Sequence, residues 1–283
     1  MNAIEIKGLK KNLGDFNLSI DNFEIEKGLI TGFVGKNGAG KTTTINLIME
    51  FIEKDSGSIK IFDREFSGKE LDIKEKIGYV GDKSGFMAET TLKSIKSSIS
   101  SFYSSWDEDL YKNLMNRLEL TETKTYKDCS KGQQKKFEIV MALSHRPEIL
   151  IMDEPTANLD PVVRDDVMAI IQEMMEQYEL TVFYSTHITS DLEDVCDSIA
   201  FIEDGKIFLK GYREDVIESH KIVKGRLDLL NEETKKYFVS INKNDFGFEG
   251  LTNDYNGLFE LLGEEAVYSR PKIEEILKFY IRG

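Results

Sequence analysis

The chain has 283 residues and a formal net charge of −14, with 40% hydrophobic and 31% charged residues. This length is enough for one large α/β domain with a small accessory domain around a substantial core. The excess of acidic residues argues against sequence-independent binding to nucleic acid, which requires Lys and Arg, and against a polybasic membrane anchor.

The cysteine content and the hydropathy pattern indicate a globular protein of a reducing compartment. The two cysteines, Cys129 and Cys196, are far apart in sequence, so we expect no disulfide framework. No run of 18 apolar residues is present, and the amino terminus lacks the apolar segment of a signal peptide. If the protein works at a membrane, we expect another polypeptide to supply the membrane-spanning part.

The amino-terminal part of the chain predicts an antiparallel sheet followed by a strand–loop–helix unit. Apolar residues alternate over residues 3–7 and 16–25, as they do in strands with one buried face. A short apolar run over residues 29–34 is followed by a glycine-rich turn. A helical pattern then extends from residue 41 to about residue 53.

Strand and helix patterns alternate through the rest of the first 211 residues, which predicts a mostly parallel α/β core. Helices are expected to begin near Pro161 and near Ser190. The apolar spacing over residues 90–145 is helical, and we interpret residues 83–140 as an α-helical subdomain inserted into the core. The further predicted strands cover residues 59–62, 77–80, 149–152, 182–185, 199–202 and 207–209.

The character of the sequence changes after Gly211, and residues 212–283 read as a small α/β extension. Residues 214–220 predict a short helix, residues 238–241 a strand, and residues 273–281 a final helix after a proline. The sequence of this extension contains no motif that assigns it a role.

A glycine-rich segment between the predicted strand and helix matches the phosphate-binding pattern Gly-x-x-x-x-Gly-Lys-[Ser/Thr]. Glycines let backbone N–H groups surround an anion, and the helix N-terminus adds a partial positive charge. Lys41 is placed to reach the β- and γ-phosphates, and the hydroxyl of Thr42 to bind Mg²⁺. The residues expected to bind the phosphates are Gly35, Lys36, Asn37, Gly38, Ala39, Gly40, Lys41, Thr42 and Thr43.

Two adjacent carboxylates follow the predicted buried strand 149–152, about 110 residues after the phosphate-binding segment. The carboxyl ends of strands in an open α/β sheet face the same crevice. We therefore expect Asp153 to support Mg²⁺ and Glu154 to orient and deprotonate the water that attacks the γ-phosphate. Taken alone, such a pair is also common at strand ends on protein surfaces.

Three further segments give the chain a specific resemblance to ABC ATPases. Ser130-Lys131-Gly132-Gln133-Gln134 is similar to the Leu-Ser-Gly-Gly-Gln signature of that family. Asn158-Leu159-Asp160 resembles the D-loop, and Ser185-Thr186-His187 resembles the segment with the switch histidine. Residues 3–211 thus resemble an ABC nucleotide-binding domain with a P-loop NTPase core. Within the family, the residues of these motifs are most similar to those of the bacterial ABC-2-type exporter ATPases, including the bacitracin-resistance-like and Ytr-like subunits.

The resemblance implies that each ATP lies between two chains in a head-to-tail dimer. Ser130 and Gly132 would offer a hydroxyl and an N–H group to the γ-phosphate bound by the opposite protomer, with Gln133 beside them. Asp160 would make a contact across the same interface. Ser130 is equally suited to an ordinary helix N-cap, and both roles can hold together.

The resemblance also assigns a switch residue, and the chain departs from the family pattern at four positions. In the signature, Cys129 stands in place of Leu and Lys131 in place of Gly; the other two are the Q-loop and the adenine-stacking position. His187 would contact the γ-phosphate and hold Glu154 and the water in line. Asp82 stands where the family has the glutamine of the Q-loop, and its shorter side chain would bind Mg²⁺ directly or through a water. The aromatic residue that stacks on adenine aligns near Leu13, and Phe16 is the candidate substitute, unless it is a core residue of its strand.

The partners implied by the resemblance are ATP with Mg²⁺, a second ABC ATPase subunit and a separate transmembrane permease. The pairing could be a homodimer or a heterodimer, and the location would be the cytoplasmic face of the membrane. Two other functions are open: a non-transport ABC protein that acts on ribosomes or DNA, and a module that binds ATP without hydrolysis. The acidic charge disfavours nucleic acid, and the intact catalytic residues favour hydrolysis.

Overall fold

The computed structural model describes residues 1–156, 159–193 and 195–282, and the strands in this part of the chain form three sheets. The strands are β1 (Asn2–Leu13), β2 (Phe16–Glu26), β3 (Ile30–Val34), β4 (Ser56–Ile61), β5 (Arg64–Glu65), β6 (Ile77–Val80), β7 (Ile149–Asp153), β8 (Thr181–Thr186), β9 (Ser198–Glu203), β10 (Lys206–Tyr212), β11 (Lys221–Gly225), β12 (Phe238–Asn244), β13 (Gly247–Thr252) and β14 (Val267–Ser269).

The helices lie between these strands, and within the described residues none is long and apolar enough to cross a membrane. They are α1 (Lys41–Ile48), α2 (Leu71–Lys74), α3 (Leu92–Ser100), α4 (Glu108–Arg117), α5 (Lys131–Leu143), α6 (Pro161–Tyr178), α7 (Arg213–Glu218), α8 (Tyr255–Leu262) and α9 (Ile273–Arg282). Helices α3, α4 and α5 lie between β6 and β7, as the helical pattern predicts.

The central sheet has the strand order β10-β9-β3-β8-β7-β6, and its pairs are parallel except for β10 against β9. Every residue of β3, β7 and β8 is buried, as expected for strands covered on both faces. Their carboxyl ends meet at one edge. This geometry brings together three loops that are far apart in sequence.

The amino-terminal sheet has the order β2-β1-β4-β5 and is antiparallel. An aromatic cluster joins it to the central sheet. The ring centroid of Phe23 on β2 lies 5.5 Å from that of Phe33 on β3, and Phe33 lies 5.4 Å from Phe183 on β8. All three rings are buried, so this packing fixes the two sheets against each other.

Two helical predictions around the site are wrong, each for a local reason. The helix predicted to extend to about residue 53 ends at Ile48, because Glu50 adopts a left-handed backbone with φ of 53°. The helix predicted near Ser190 is a single 3₁₀ turn, Thr189–Asp191. Leu192 is fully buried just after it and packs against Gly32 of β3, which draws the chain back into the core.

The carboxyl-terminal segment forms a third, antiparallel sheet of order β12-β13-β11-β14. The predicted elements α7, β12 and α9 are confirmed, whereas β11, β13 and α8 were not predicted. Ile273, Ile276 and Phe279 of α9 are buried and belong to the same hydrophobic cluster as Leu192. The extension therefore shares a continuous core with the rest of the chain.

The turn between β9 and β10 holds the phosphate-binding segment against the first sheet. Gly205 has φ of 73°, its N–H donates to the carbonyl of Ala39 (2.9 Å), and its carbonyl accepts from the N–H of Ser19 (2.8 Å). A Cβ atom at this position would lie 2.2 Å from the backbone oxygen of Asn17.

We predict that Gly205→Ala lowers the free energy of unfolding by about 3 kcal/mol, from left-handed strain plus the backbone clash. Gly14 is the matched control, because it has the same φ of 73° but nothing within 4 Å of an added Cβ. Gly14→Ala should cost only about 1 kcal/mol. Urea unfolding at unchanged slope measures both. Equal losses in the two variants would show that the contact with Asn17 is unimportant.

Candidate functional site

The phosphate loop, residues 35–42, connects β3 to α1 and has the backbone that its glycines allow. Gly38 and Gly40 have φ of 85° and 114°, in the left-handed region that favours glycine. Gly40 is the N-cap residue of α1. Phe16 of β2 is half-buried, and its Cζ lies 2.9 Å from the position of a Cβ added at Gly40. The candidate adenine-stacking residue therefore lies beside the loop.

Lys41 carries the buried cation of this loop. Its ammonium donates to the carbonyl oxygens of Gly35 (2.8 Å) and Lys36 (3.1 Å), and it lies 3.1 Å from Oε1 of Glu154. The side chain is only 5% exposed, so water screens these interactions little. The loop thus places one desolvated positive charge where an anion would bind.

Glu154 follows β7 in a strained conformation, with φ of 50°, and its carboxylate joins Lys41 to His187. Its N–H donates to the carbonyl of Ser185 at the end of β8 (3.1 Å). Oε2 lies 2.8 Å from Nδ1 of His187 and accepts from the backbone N–H of the same residue (3.3 Å). Because an ionised carboxylate only accepts, Nδ1 of His187 is the donor in the side-chain bond. The structure brings together the three residues predicted to act on the γ-phosphate.

Asp153, one residue earlier, has the features of a metal ligand. It is fully buried, and Oδ1 accepts a short hydrogen bond from the hydroxyl of Ser185. Oδ2 is buried and has no hydrogen-bond partner among the described residues. Thr42 is exposed at the start of α1. No cluster of three or more His, Cys, Asp or Glu ligands occurs in the described part of the chain. This donor set suits Mg²⁺, which uses few protein ligands and completes its shell with phosphate oxygens and water.

Asp82 lies two residues after β6 and is exposed on a cavity of about 680 Å³ that Glu154 also lines. Burial raises the pKa of the nearby Tyr79 hydroxyl to about 12, and the charges of Asp153, Asp82 and Glu138 add to this rise. Four lysines line the same cavity, so charges of both signs face it. The structure places Asp82 close enough to share the cavity, and its contact with Mg²⁺ stays a prediction.

The signature segment forms the exposed start of α5. Ser130 is the N-cap residue, and it forms a capping box with Gln133: each backbone N–H donates to the other side chain at 3.2 Å. A Cβ added at the half-buried Gly132 would lie 3.6 Å from Cδ2 of Leu159. The N-cap interpretation of Ser130 is therefore confirmed, and its contact with a partner's ATP stays a prediction.

The predicted D-loop is described only in part. Asp160 is exposed and is the N-cap residue of α6, where its Oδ1 accepts from the N–H of Val163 (3.1 Å). Asn158 lies outside the described residues. Sequence reasoning missed Ser185, whose hydroxyl orients Asp153. The parallel register pairs these two residues, so a correct alignment of β7 with β8 would have found it.

Comparison with known proteins gives consistent results for sequence and fold. A family model described as ABC transporter matches residues 18–157. The ABC transporter ATP-binding protein YtrB of Bacillus subtilis (strain 168) is 34% identical over 205 residues, covering 72% of this chain and 70% of YtrB. The bacitracin transport ATP-binding protein BcrA of Bacillus licheniformis is 33% identical, covering 66% of this chain and 61% of BcrA. A solved ATP-binding subunit of an ABC transporter has a TM-score of 0.69 at 26% identity, covering 76% of this chain and 92% of that chain.

We predict that Lys41→Ala abolishes ATP binding and hydrolysis, because it removes the one buried cation that the described phosphate loop directs at the phosphates. Titration with a fluorescent ATP analogue and a phosphate-release assay measure the two effects. Lys7→Ala, which removes a surface ammonium paired with Glu5, is the control and should behave as wild type. Unchanged nucleotide affinity in Lys41→Ala would contradict the assignment of the site.

Proposed function

This chain belongs to the family of ABC transporter ATP-binding proteins and is an ATP-hydrolysing subunit, and we propose that it works as a dimer that closes around two ATP molecules. The second chain is either another copy or a different ABC ATPase subunit. The carboxylate of Glu154, held between Lys41 (3.1 Å) and His187 (2.8 Å), carries the assignment of hydrolysis. The exposed N-cap residues Ser130 and Asp160 support the proposal of a second chain.

The contacts of Glu154 suggest how binding of ATP prepares hydrolysis. Phosphate oxygens carry more negative charge than a single carboxylate and would compete for the ammonium of Lys41. Oε1 of Glu154 would then be released to accept a proton from water, while Oε2 stays on Nδ1 of His187. The same hydrogen bond would hold the base in line with the γ-phosphate. Glu154 acts as general base and His187 orients it in this proposal.

We assign the Mg²⁺ site to Thr42 and Asp153, with Asp82 as a further candidate ligand or as a partner through water. The support is the buried Oδ2 of Asp153, which has no hydrogen-bond partner within the described residues. Bound Mg²⁺ would neutralise charge on the β- and γ-phosphates. The hydroxyl of Ser185 would keep the other oxygen of Asp153 in place.

The signature segment supports the proposal of a composite site. Ser130 is exposed at the N-terminus of a 13-residue helix, whose partial positive charge favours an anion. Gly132 and Gln133 follow on the same turn, and Asp160 is exposed at the start of α6. We propose that this surface covers the γ-phosphate of the partner chain. Phe16 would stack on adenine from its place beside Gly40.

We propose that a separate membrane subunit docks in a groove between the helical layer, residues 83–140, and the core, which contributes Phe51 and Tyr79. A cavity of about 470 Å³ is lined by Ser84, Phe86, Ile99 and Tyr103, among others. Phe86 packs on the core through Tyr126 and Phe137, so it contributes to the wall of the groove and to the subdomain.

Exposed apolar side chains near the groove support a docked partner. Met87 and Phe102 are each 77% exposed, which costs free energy in water unless another surface covers them. On this proposal the protein is peripheral to the cytoplasmic face of the membrane. Similarity to BcrA, described as a bacitracin transport protein, favours export.

We propose a separate function for each of the proposed domains. Residues 1–211 would form the nucleotide-binding domain, with residues 83–140 as the part that meets the membrane subunit. Residues 212–283 would be an accessory extension without a role in the phosphate chemistry. The acidic surface disfavours nucleic acid as a partner.

We predict that Glu154→Gln forms a stable dimer with ATP and Mg²⁺. The substitution keeps the shape of the side chain but removes the base, so the closed dimer cannot be reset by hydrolysis. Light scattering after size exclusion should show a dimer with ATP and mainly monomer without it. The double variant Lys41→Ala/Glu154→Gln should stay monomeric at all ATP concentrations. A monomeric Glu154→Gln protein at saturating ATP would contradict the homodimer and leave a different ABC ATPase subunit as the partner.

We predict that a photo-reactive group on Ser84→Cys or Ser101→Cys cross-links to a membrane protein in native membranes. The two native cysteines are buried, so labelling should be confined to the new thiols. Ser269→Cys, exposed on β14 in the extension, is the control and should give no such product. Mass spectrometry identifies the adducts. If neither groove position yields a membrane protein, the proposed docking site is wrong.

A further inference from the structure

A buried charged network connects the signature helix to the segment that carries Asp82. Lys135 and Glu138 of α5 are 9% and 8% exposed, and their charged groups lie 2.8 Å apart. The ammonium of Lys135 also donates to the carbonyl of Gly81 (2.6 Å). The hydroxyl of Tyr126 donates to Oε1 of Glu138 (2.5 Å). The network thus joins three chain segments through two buried charges.

Stability alone does not account for this network. Burying two charges costs several kcal/mol of desolvation, and apolar side chains of the same volume often stabilise a protein as well or better. A clamp on a carbonyl, by contrast, has a directional effect that an apolar pair cannot supply. The position of the clamped carbonyl in the chain therefore indicates what the network controls.

Gly81 is fixed from two sides, and the next residue is Asp82. Lys135 holds its carbonyl, and a Cβ at Gly81 would lie 2.8 Å from the hydroxyl of Tyr79. Asp82, Glu154 and Lys135 all line the cavity of about 680 Å³. The orientation of the peptide after Gly81 determines where the carboxylate of Asp82 points. Lys135 thereby controls the approach of Asp82 to the catalytic cavity.

Glu138 lies between this cavity and the adjoining groove, which have lining residues in common. It lines the cavity together with Asp82, and it lines the groove of about 470 Å³ together with Phe86 and Tyr103. A displacement of the groove wall would move Glu138 and, through the 2.8 Å ion pair, Lys135. The network is a direct polar connection between the two surfaces.

We propose that Lys135 is a positioning residue for ATP hydrolysis, which sets the orientation of Asp82 through the carbonyl of Gly81, and that Glu138 holds the ammonium of Lys135 in place. Because Lys135 lies five residues after Ser130 on the same helix, the same contact links the orientation of Asp82 to the surface proposed to face the partner chain. This inference rests on the roles proposed above for Asp82, Ser130 and Glu154.

The test compares variants that keep or remove the clamp. Glu138→Gln removes the counter-charge of Lys135 but retains the shape of the side chain, so its amide oxygen can accept from the ammonium, which can still reach Gly81. The double variant Lys135→Met/Glu138→Gln removes the clamp and both charges. The control Lys127→Met/Glu89→Gln removes an exposed ion pair from the same helical layer. For each protein, kcat and KM for Mg-ATP and the melting temperature are measured.

We expect the double variant to lose about tenfold in kcat with KM changed less than about twofold, and with a melting temperature near that of wild type. Glu138→Gln and the control should stay within about threefold of the wild-type kcat. A double variant with the kcat of Glu138→Gln would overturn the proposal. Parallel losses of kcat, ATP affinity and melting temperature would also overturn it, because the pair would then support the fold only.

The test of the positioning role can be distinguished from the test of the proposed function as an ATPase. If Glu154→Gln hydrolyses ATP at the wild-type rate, the catalytic assignment fails whatever the Lys135 variants do. If Glu154→Gln is inactive and the double variant retains full kcat, the site assignment stands and only the positioning role is lost.

Discussion

The site depends on one carboxylate, that of Glu154, which contacts the ammonium of Lys41 with one oxygen and the imidazole of His187 with the other. These residues follow β3, β7 and β8, and they meet only because the three strands are parallel neighbours in the order β3-β8-β7. A slip of one residue in this register would turn the side chains away from each other. The fully buried faces of the strands make such a slip costly, so the hydrophobic core maintains the polar geometry.

The two buried lysines of the site, Lys41 and Lys135, are both paired with a carboxylate. The chain has a net charge of −14, and Asp82 and Glu154 line the same cavity. Lys41 is balanced by Glu154, and Lys135 by Glu138. On the proposed function, phosphate oxygens would replace Glu154 as the ion partner of Lys41. Binding would therefore exchange the ion partner of this buried ammonium.

Sequence reasoning was most accurate where a motif coincides with a strongly patterned element. The phosphate loop, β6 and the β7 carboxylates were predicted because apolar runs border them on at least one side. Sequence reasoning failed where tertiary contacts, and not the local pattern, determine the secondary structure. The segment after His187 turns back at Leu192 instead of forming a helix, and β13 begins at a glycine and contains a second one, which weakens its strand pattern. No role was predicted for Lys135 and Glu138, because no sequence pattern reveals that the carbonyl of Gly81 lies beside Lys135.

The roles of the signature and of Asp160 differ from those of Lys41, Glu154 and His187, which already contact one another within one chain. Within one chain, Ser130 and Asp160 make only the hydrogen bonds of ordinary helix caps. Their proposed function needs a second chain, so a mixing experiment addresses it most directly. Lys41→Ala should inactivate the phosphate loop, and Ser130→Arg should block the signature surface without touching that loop. If the site is composite, mixing these two inactive proteins with ATP and Mg²⁺ restores hydrolysis, since mixed dimers contain one intact site. Hydrolysis that stays at the sum of the two separate proteins would contradict a site shared between two copies of this chain.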